Sequence, residues 1–304
     1  MKIAGVWAPV LTPFDAALDP DLPRWIAHCR WLLENGCSGL AIFGTTSEAN
    51  SLSVDERERM LGALLESGVD PLRLLPGTGC AALPDTVRLS RRAVQAGCAG
   101  VLMLPPFFYK NLSEEALFQS YAAVIDGVGE ARLRVFLYHI PQYSGVPIPL
   151  RVIERLRAAY PQIVVGMKDS SGDWNNTRIV LEAVPDFQVF VGSERFLLQS
   201  LRLGGAGCIT ATANVNARAI EKLYRSWRTP EAVALQAEVD QVRQLFDQYP
   251  LMAALKAAVA AARRDPAWLA LRPPLLPLSG AQQAQLLAGL EANGWLQSLR
   301  AALS

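Results

Sequence analysis

Ile163-Val164-Val165-Gly166-Met167-Lys168-Asp169-Ser170-Ser171-Gly172-Asp173 is the stretch on which the reading of this chain turns. An apolar run delivers a lysine into a small polar cluster closed by a glycine turn, the pattern of a buried parallel strand meeting its loop. Most other basic residues are arginines; of the other lysines, Lys2, Lys222 and Lys256 sit in contexts of strand ends or helix surfaces, unlike Lys110. An ammonium at the end of a core strand is costly to desolvate unless it is paired or neutralised. Desolvation favours the neutral amine, which is a nucleophile. The competing reading is a structural salt bridge from Lys168 to Asp169 or Asp173, and the stretch by itself leaves the two level.

Outward from this strand, strand and helix signals alternate. Strands are expected at 5–10, 39–43, 72–75, 100–104 and 133–138 before it, and at 187–191 and 206–210 after it. Helices are expected between them, with Ser53 and Glu56 capping one and Ser113 capping another. Eight such units within residues 1–225 specify an α/β fold, a (β/α)8 TIM barrel. A doubly wound sheet fits less well, because the period runs unbroken and no dinucleotide fingerprint follows the first strand. Residues 226–304 read as a small C-terminal extension of three helices, with Pro273, Pro274 and Pro277 in a linker.

With 304 residues, 51% of them hydrophobic, the chain can bury one large core plus an appendage. A net charge of +1 without a long basic tract argues against nucleic acid as a partner. No apolar stretch has transmembrane length, and the N-terminus lacks the apolar region of a signal peptide. Cys29, Cys37, Cys80, Cys98 and Cys208 form no close ligand pairs, so reduced thiols in a cytoplasmic protein are expected.

In a barrel, chemistry gathers at the C-terminal ends of the strands. The polar residues expected there are Thr12, Thr45, Thr46, Ser47, Glu48, Thr78, Tyr138, His139, Lys168 and Thr210. Thr45 and Thr46 can present hydroxyl and backbone donors to one carboxylate, or simply form a capping turn. Tyr138 closes an apolar strand and can shuttle a proton if a carbonyl or imine lies nearby. His139 is assigned to the opposite face, because side chains alternate along a strand. Metal chemistry has little support, since Asp169 and Asp173 have no histidine beside them. Gly192-Ser193-Glu194 lacks the nucleophile-elbow pattern. Gly192 and Gly205-Ala206-Gly207 suit backbone contacts to a phosphate, but Glu194 would oppose an anion, although Arg195 follows it.

Several motifs in order resemble the dihydrodipicolinate synthase and N-acetylneuraminate lyase family, pyruvate-dependent class I aldolases on a TIM barrel. Gly44-Thr45-Thr46-Ser47-Glu48 is similar to its pyruvate-carboxylate motif, with Ser47 where glycine is usual, and Gly77-Thr78-Gly79 to its second glycine turn. Leu137-Tyr138-His139-Ile140-Pro141 resembles the catalytic-tyrosine segment, Gly166-Met167-Lys168-Asp169-Ser170 the Schiff-base lysine segment, and Gly205 to Thr210 the last strand. The resemblance implies Lys168, Tyr138 and Thr46 as catalytic residues. It implies Thr45, Thr46, Ile209, Gly192, Tyr143, Phe108 and Thr210 as substrate contacts, with no cofactor beyond the covalent imine on Lys168 and no metal. A homodimer or homotetramer is implied, built on the loops carrying Phe107, Phe108, Tyr109 and Tyr143.

Two departures bear on the substrate. Synthases of this family have paired tyrosines where this chain has Phe107 and Phe108, and an arginine where it has Tyr143. The resemblance therefore implies a lyase acting on a 4-hydroxy-2-keto acid or a 2-keto-3-deoxy sugar acid, with pyruvate as product or substrate. A neutral, hydroxyl-bearing distal end is expected to meet Tyr143, Ser144 and Thr210. The alternatives are 4-hydroxy-tetrahydrodipicolinate synthase, a 2-keto-3-deoxy sugar acid dehydratase, and a non-catalytic keto-acid binding protein.

Overall fold

The computed structural model describes residues 2–303. Seven parallel strands, β1 (Gly5–Ala8), β2 (Gly39–Leu40), β3 (Val101–Met103), β4 (Val135–His139), β5 (Val164–Asp169), β6 (Gln188–Val191) and β7 (Gly207–Ile209), form one sheet in the order β2-β1-β7-β6-β5-β4-β3. The expected strand at 72–75 is not a regular strand. It begins as a 3-10 turn, Pro71–Arg73, and then makes single parallel bridges, Leu74 to Leu40 and Gly77 to Leu102. Those bridges join the two sheet edges and close the barrel. Pro76 has no N–H to give, so only its carbonyl takes part, accepting from Leu102 N at 2.8 Å. A Cβ at residue 77 would lie 2.1 Å from the Phe43 carbonyl oxygen, so the chain passes there only as glycine.

Besides a single turn at Pro141–Ser144, the helices of the barrel are α1 (Leu22–Glu34), α2 (Val54–Glu66), α3 (Leu83–Gln95), α4 (Glu114–Val128), α5 (Leu150–Ala159), α6 (Trp174–Ala183), α7 (Leu197–Arg202) and α8 (Ala213–Ser226). The α2 capping box of Ser53 and Glu56 forms, and Ser113 caps α4. Strand parity sorts the core. Trp7, Phe136, Tyr138, Phe190 and Ile209 fill the barrel interior. Leu137, Met167 and Val189 face outward into the layer packed by helices such as α4 and α5. Gly166 lies inside, where a Cβ would come within 2.6 Å of the Phe136 ring.

The extension contains four helices rather than three: α9 (Ala232–Phe246), α10 (Leu251–Arg263), α11 (Gly280–Ala292) and α12 (Trp295–Leu303). Gly294, with φ +66°, breaks the expected final helix in two. Its core, with Trp268, Leu286, Leu290 and Trp295, also takes in Leu11, Ala211 and Val215 from the barrel. The five cysteines carry no disulfide. Burial pushes the Cys37 and Cys98 thiols up to about 12.

Candidate active site

β4 and β5 run side by side with Tyr138 paired to Lys168 in the register, so both side chains enter the barrel. They are 2% and 3% exposed. Lys168 Nζ donates to Tyr138 Oη at 3.2 Å and lies 4.3 Å from the ring centroid. Tyr138 Oη is in turn 3.1 Å from Thr45 Oγ1. The proposed salt bridge on Lys168 is absent among the described residues. Asp169, one residue on, accepts from Ser171 N, Asn176 and Thr177 at 2.9, 2.8 and 2.7 Å. Asp173 caps α6 instead. His139 faces away from the interior, its Nδ1 accepting from Ile148 N at 3.1 Å, and burial lowers its pKa.

The Thr45–Thr46 segment is a turn held from several sides, not a helix cap. Phe43 and Glu48 flank it in the left-handed region, at φ 59° and 56°. Ser47 Oγ donates to the Val10 carbonyl at 2.5 Å, and Thr12 Oγ1 donates to the Ser47 carbonyl at 2.8 Å. Glu48 forms an ion pair with Lys256 of α10, both side chains fully buried, and also accepts from Arg272 N at 3.1 Å. Lys256 is therefore not on a helix surface. Desolvation lowers its pKa while Glu48 opposes the shift. Breaking one side of such a pair costs about 3–5 kcal/mol, so the extension is a structural support for the Thr45 turn.

These groups open into a cavity of about 430 Å³. Thr45, Thr46, Tyr138, Lys168, Gly192 and Ile209 line it, as does Tyr143. Two expected contacts fall elsewhere. The Thr210 hydroxyl donates to buried Glu194 and is spent there. Phe108 is 71% exposed, edge-on to Tyr109, and does not line the cavity. Ser144, expected near the distal end, turns its hydroxyl to the Val146 carbonyl at 3.0 Å.

The cavity is also lined by residues that the sequence reading did not assign to the site: Arg195 after β6, and Arg243, Asp247, Tyr249 and Met252 from the extension. Asp247 takes Arg243 Nε at 2.7 Å and Arg195 Nη2 at 3.0 Å, one oxygen for each. Glu194 points inward and is satisfied by Thr210 and Thr212, with Arg243 Nη1 at 3.6 Å. Glu194 does not line the cavity, so it does not oppose an anion there directly. Arg195 carried a signal, a cation in a loop after a barrel strand. Arg243 carried none, because it reaches the cavity from a helix in the extension.

A parallel barrel whose strand ends bring an amine, a phenol and a hydroxyl into one cavity defines an enzyme of carbonyl chemistry. The chain belongs to the Dihydrodipicolinate synthetase family, which matches residues 2–293. An uncharacterized DapA-like lyase of Chloroflexus aurantiacus is 37% identical over 289 residues, 94% of this chain and 96% of that protein. A probable mitochondrial 4-hydroxy-2-oxoglutarate aldolase of Emericella nidulans is 36% identical over 247 residues, 78% of each chain. Among solved structures, YagE of E. coli K12, a prophage protein of the dihydrodipicolinic acid synthase family in complex with pyruvate, superposes with a TM-score of 0.89. It is 27% identical and covers 97% of this chain and 100% of its own. The protein is a pyruvate-dependent class I aldolase or lyase of this family. Among the described residues, no group of three or more His, Cys, Asp or Glu is placed to hold a metal ion, and no helix is long and apolar enough to cross a membrane.

Proposed function

We propose that the protein cleaves or forms a 4-hydroxy-2-keto acid or 2-keto-3-deoxy sugar acid through an imine on Lys168. The observation that carries this reading is the chain from Lys168 Nζ to Tyr138 Oη at 3.2 Å and on to Thr45 Oγ1 at 3.1 Å, all three residues lining the cavity. The Lys168 amine adds to the C2 carbonyl of the keto acid and water leaves, giving a protonated imine. Thr45 and Thr46 hold the C1 carboxylate. Tyr138 accepts the C4 hydroxyl proton, the C3–C4 bond breaks, and its electron pair moves into the imine. The aldehyde departs, leaving the enamine of pyruvate. Protonation at C3 and hydrolysis release pyruvate and restore the amine. The imine is the electron sink that a cofactor would otherwise supply.

The synthase reading is weaker because Tyr143 stands where the resemblance implies an arginine, and Phe108 has no hydroxyl for a relay. A phenol gives one neutral hydrogen bond, about half the strength of a charge-assisted one. The test is kcat/KM for pyruvate release from 4-hydroxy-2-keto acids against condensation of pyruvate with aspartate semialdehyde, on one preparation. If the condensation is faster by tenfold, about 1.4 kcal/mol in transition-state binding, the reading is wrong. Assembly as a dimer or tetramer is part of the proposal, supported by Phe108, Tyr109 and Tyr143, which are 71%, 70% and 64% exposed on neighbouring segments, a loop and the short helix Pro141–Ser144. Large exposed aromatics are enriched at interfaces.

A further inference from the structure

The cavity lining combines two chemically different sets of groups. Lys168, Tyr138 and the Thr45–Thr46 turn form one, and Arg195 and Arg243 the other. The neutral hydroxyls expected to receive a distal polyol are mostly committed: Thr210 to Glu194, and Ser144 to Val146. Tyr143 alone of the three lines the cavity. The arginines, by contrast, keep donors in reserve. Each gives one nitrogen to Asp247, at 2.7 and 3.0 Å, and a guanidinium carries five N–H donors in a fixed fork. Arg243 Nη1 is buried and turned to Glu194 at 3.6 Å, so the donors without a hydrogen-bond partner among the described residues that a ligand can reach are Arg243 Nη2 and Arg195 Nε and Nη1.

The two guanidinium groups are also held in position. Asp247 bridges them with one oxygen each, and follows α9 directly, its N–H bonded to the Arg243 carbonyl. Gln236 of α9 donates to the Glu194 carbonyl at 2.9 Å and accepts from Leu198 N at 3.0 Å, tying α9 to the loop that carries Arg195. Glu194 faces its threonines and Asp240 accepts from Gln236, and neither lines the cavity. The side chain of Arg243 is 14% exposed, so a ligand meeting it is shielded from much of the solvent that weakens surface pairs. A fixed arginine fork in a partly desolvated wall matches a carboxylate in geometry and charge.

We propose that Arg195 and Arg243 receive a second carboxylate, so that the preferred substrate is a dicarboxylic 2-keto acid with an acid at each end. The inference deepens the aldolase reading and rests on it for the position of the keto end at Lys168. It replaces the expectation of a neutral distal end.

The test compares 2-oxoglutarate with 2-oxopentanoate, which have the same length and differ at the far end by carboxylate against methyl. Neither has a C4 hydroxyl, so neither can undergo retro-aldol cleavage, while both can form an imine. Half-saturation is read by borohydride trapping on Lys168 and independently by calorimetry. The expected result is at least tenfold tighter binding of 2-oxoglutarate, about 1.4 kcal/mol. The gap should shrink at least threefold in R195Q and further in R243Q. Arg195 is 40% exposed and among the described residues pairs only with Asp247, so R195Q tests the inference even if R243Q, which strips a partner from buried Glu194, folds poorly. Equal binding of the two acids, or a gap unchanged in R195Q, overturns the proposal. Pyruvate labelling separates the two readings: a labelled Lys168 without preference for 2-oxoglutarate sinks the distal-acid inference alone. Calorimetric preference without labelling sinks the imine reading alone.

Discussion

Replacing Tyr138 by phenylalanine removes one oxygen and with it both hydrogen bonds of the reactive chain, 3.2 Å to Lys168 and 3.1 Å to Thr45. The ring stays where it is, packed inside the barrel with Phe136 and Ile140. Net hydrogen bonds contribute about 0.5–1.5 kcal/mol each, so the two together cost about 1–3 kcal/mol of stability. That is a fraction of the 5–15 kcal/mol typical of a domain, and Y138F should remain folded. Catalysis should suffer far more. A positioned acid or base contributes about 10² to 10⁴ in rate, or about 2.7–5.4 kcal/mol. The assay is kcat for pyruvate release from a 4-hydroxy-2-keto acid, beside borohydride trapping with pyruvate on the same protein. Y138F should lose at least a hundredfold in release and still label. Release within tenfold of wild type would show that the C4 hydroxyl proton is taken by another group and would refute the role given to Tyr138.

Acid should weaken the fold through His28, which is fully buried between Asn214 at 3.1 Å and Arg263 at 3.4 Å. Burial first, then Arg263, lowers its pKa from 6.5 to about 3. Between those values the unfolded chain binds a proton that the folded chain does not, so stability falls as pH drops below 6.5 and continues to fall to about 3. From pH 6.5 to 5 the loss is about 2 kcal/mol by urea denaturation; it should be smaller in H28Q, and an identical loss in both proteins would remove His28 as the cause. For assembly, sedimentation at micromolar concentration should give a dimer or tetramer of the 33.1 kDa chain, and a monomer alone would contradict the interface proposed at Phe108, Tyr109 and Tyr143.

What the sequence made legible was local. An apolar run ending in Lys168, and another ending in Tyr138, announce two buried strands, and alternation alone turns His139 away from Tyr138. The segment at 72–75 read as a strand because it is apolar, but Pro76 limits its hydrogen bonding and a 3-10 turn consumes its start. Phe108 and Thr210 were placed by motif position, which carries no information on where a loop or a hydroxyl turns. The largest omissions are contacts across the chain. Glu48 meets Lys256 across 208 residues, and Arg243 reaches Glu194 from a helix in the extension. No periodicity within either segment records the pairing. Arg195 was visible in the loop after its strand, but the burial of Glu194 beside it, which leaves the arginine to face the cavity, depends on Thr210 and Thr212.

Lys168 carries the account, and the most direct measurement is borohydride reduction in the presence of pyruvate followed by peptide mass analysis. The imine reading predicts a reduced pyruvyl adduct on the peptide containing Lys168 and none in K168A. A native protein that binds pyruvate by calorimetry but gains no adduct, or gains it on another lysine, would contradict the claim.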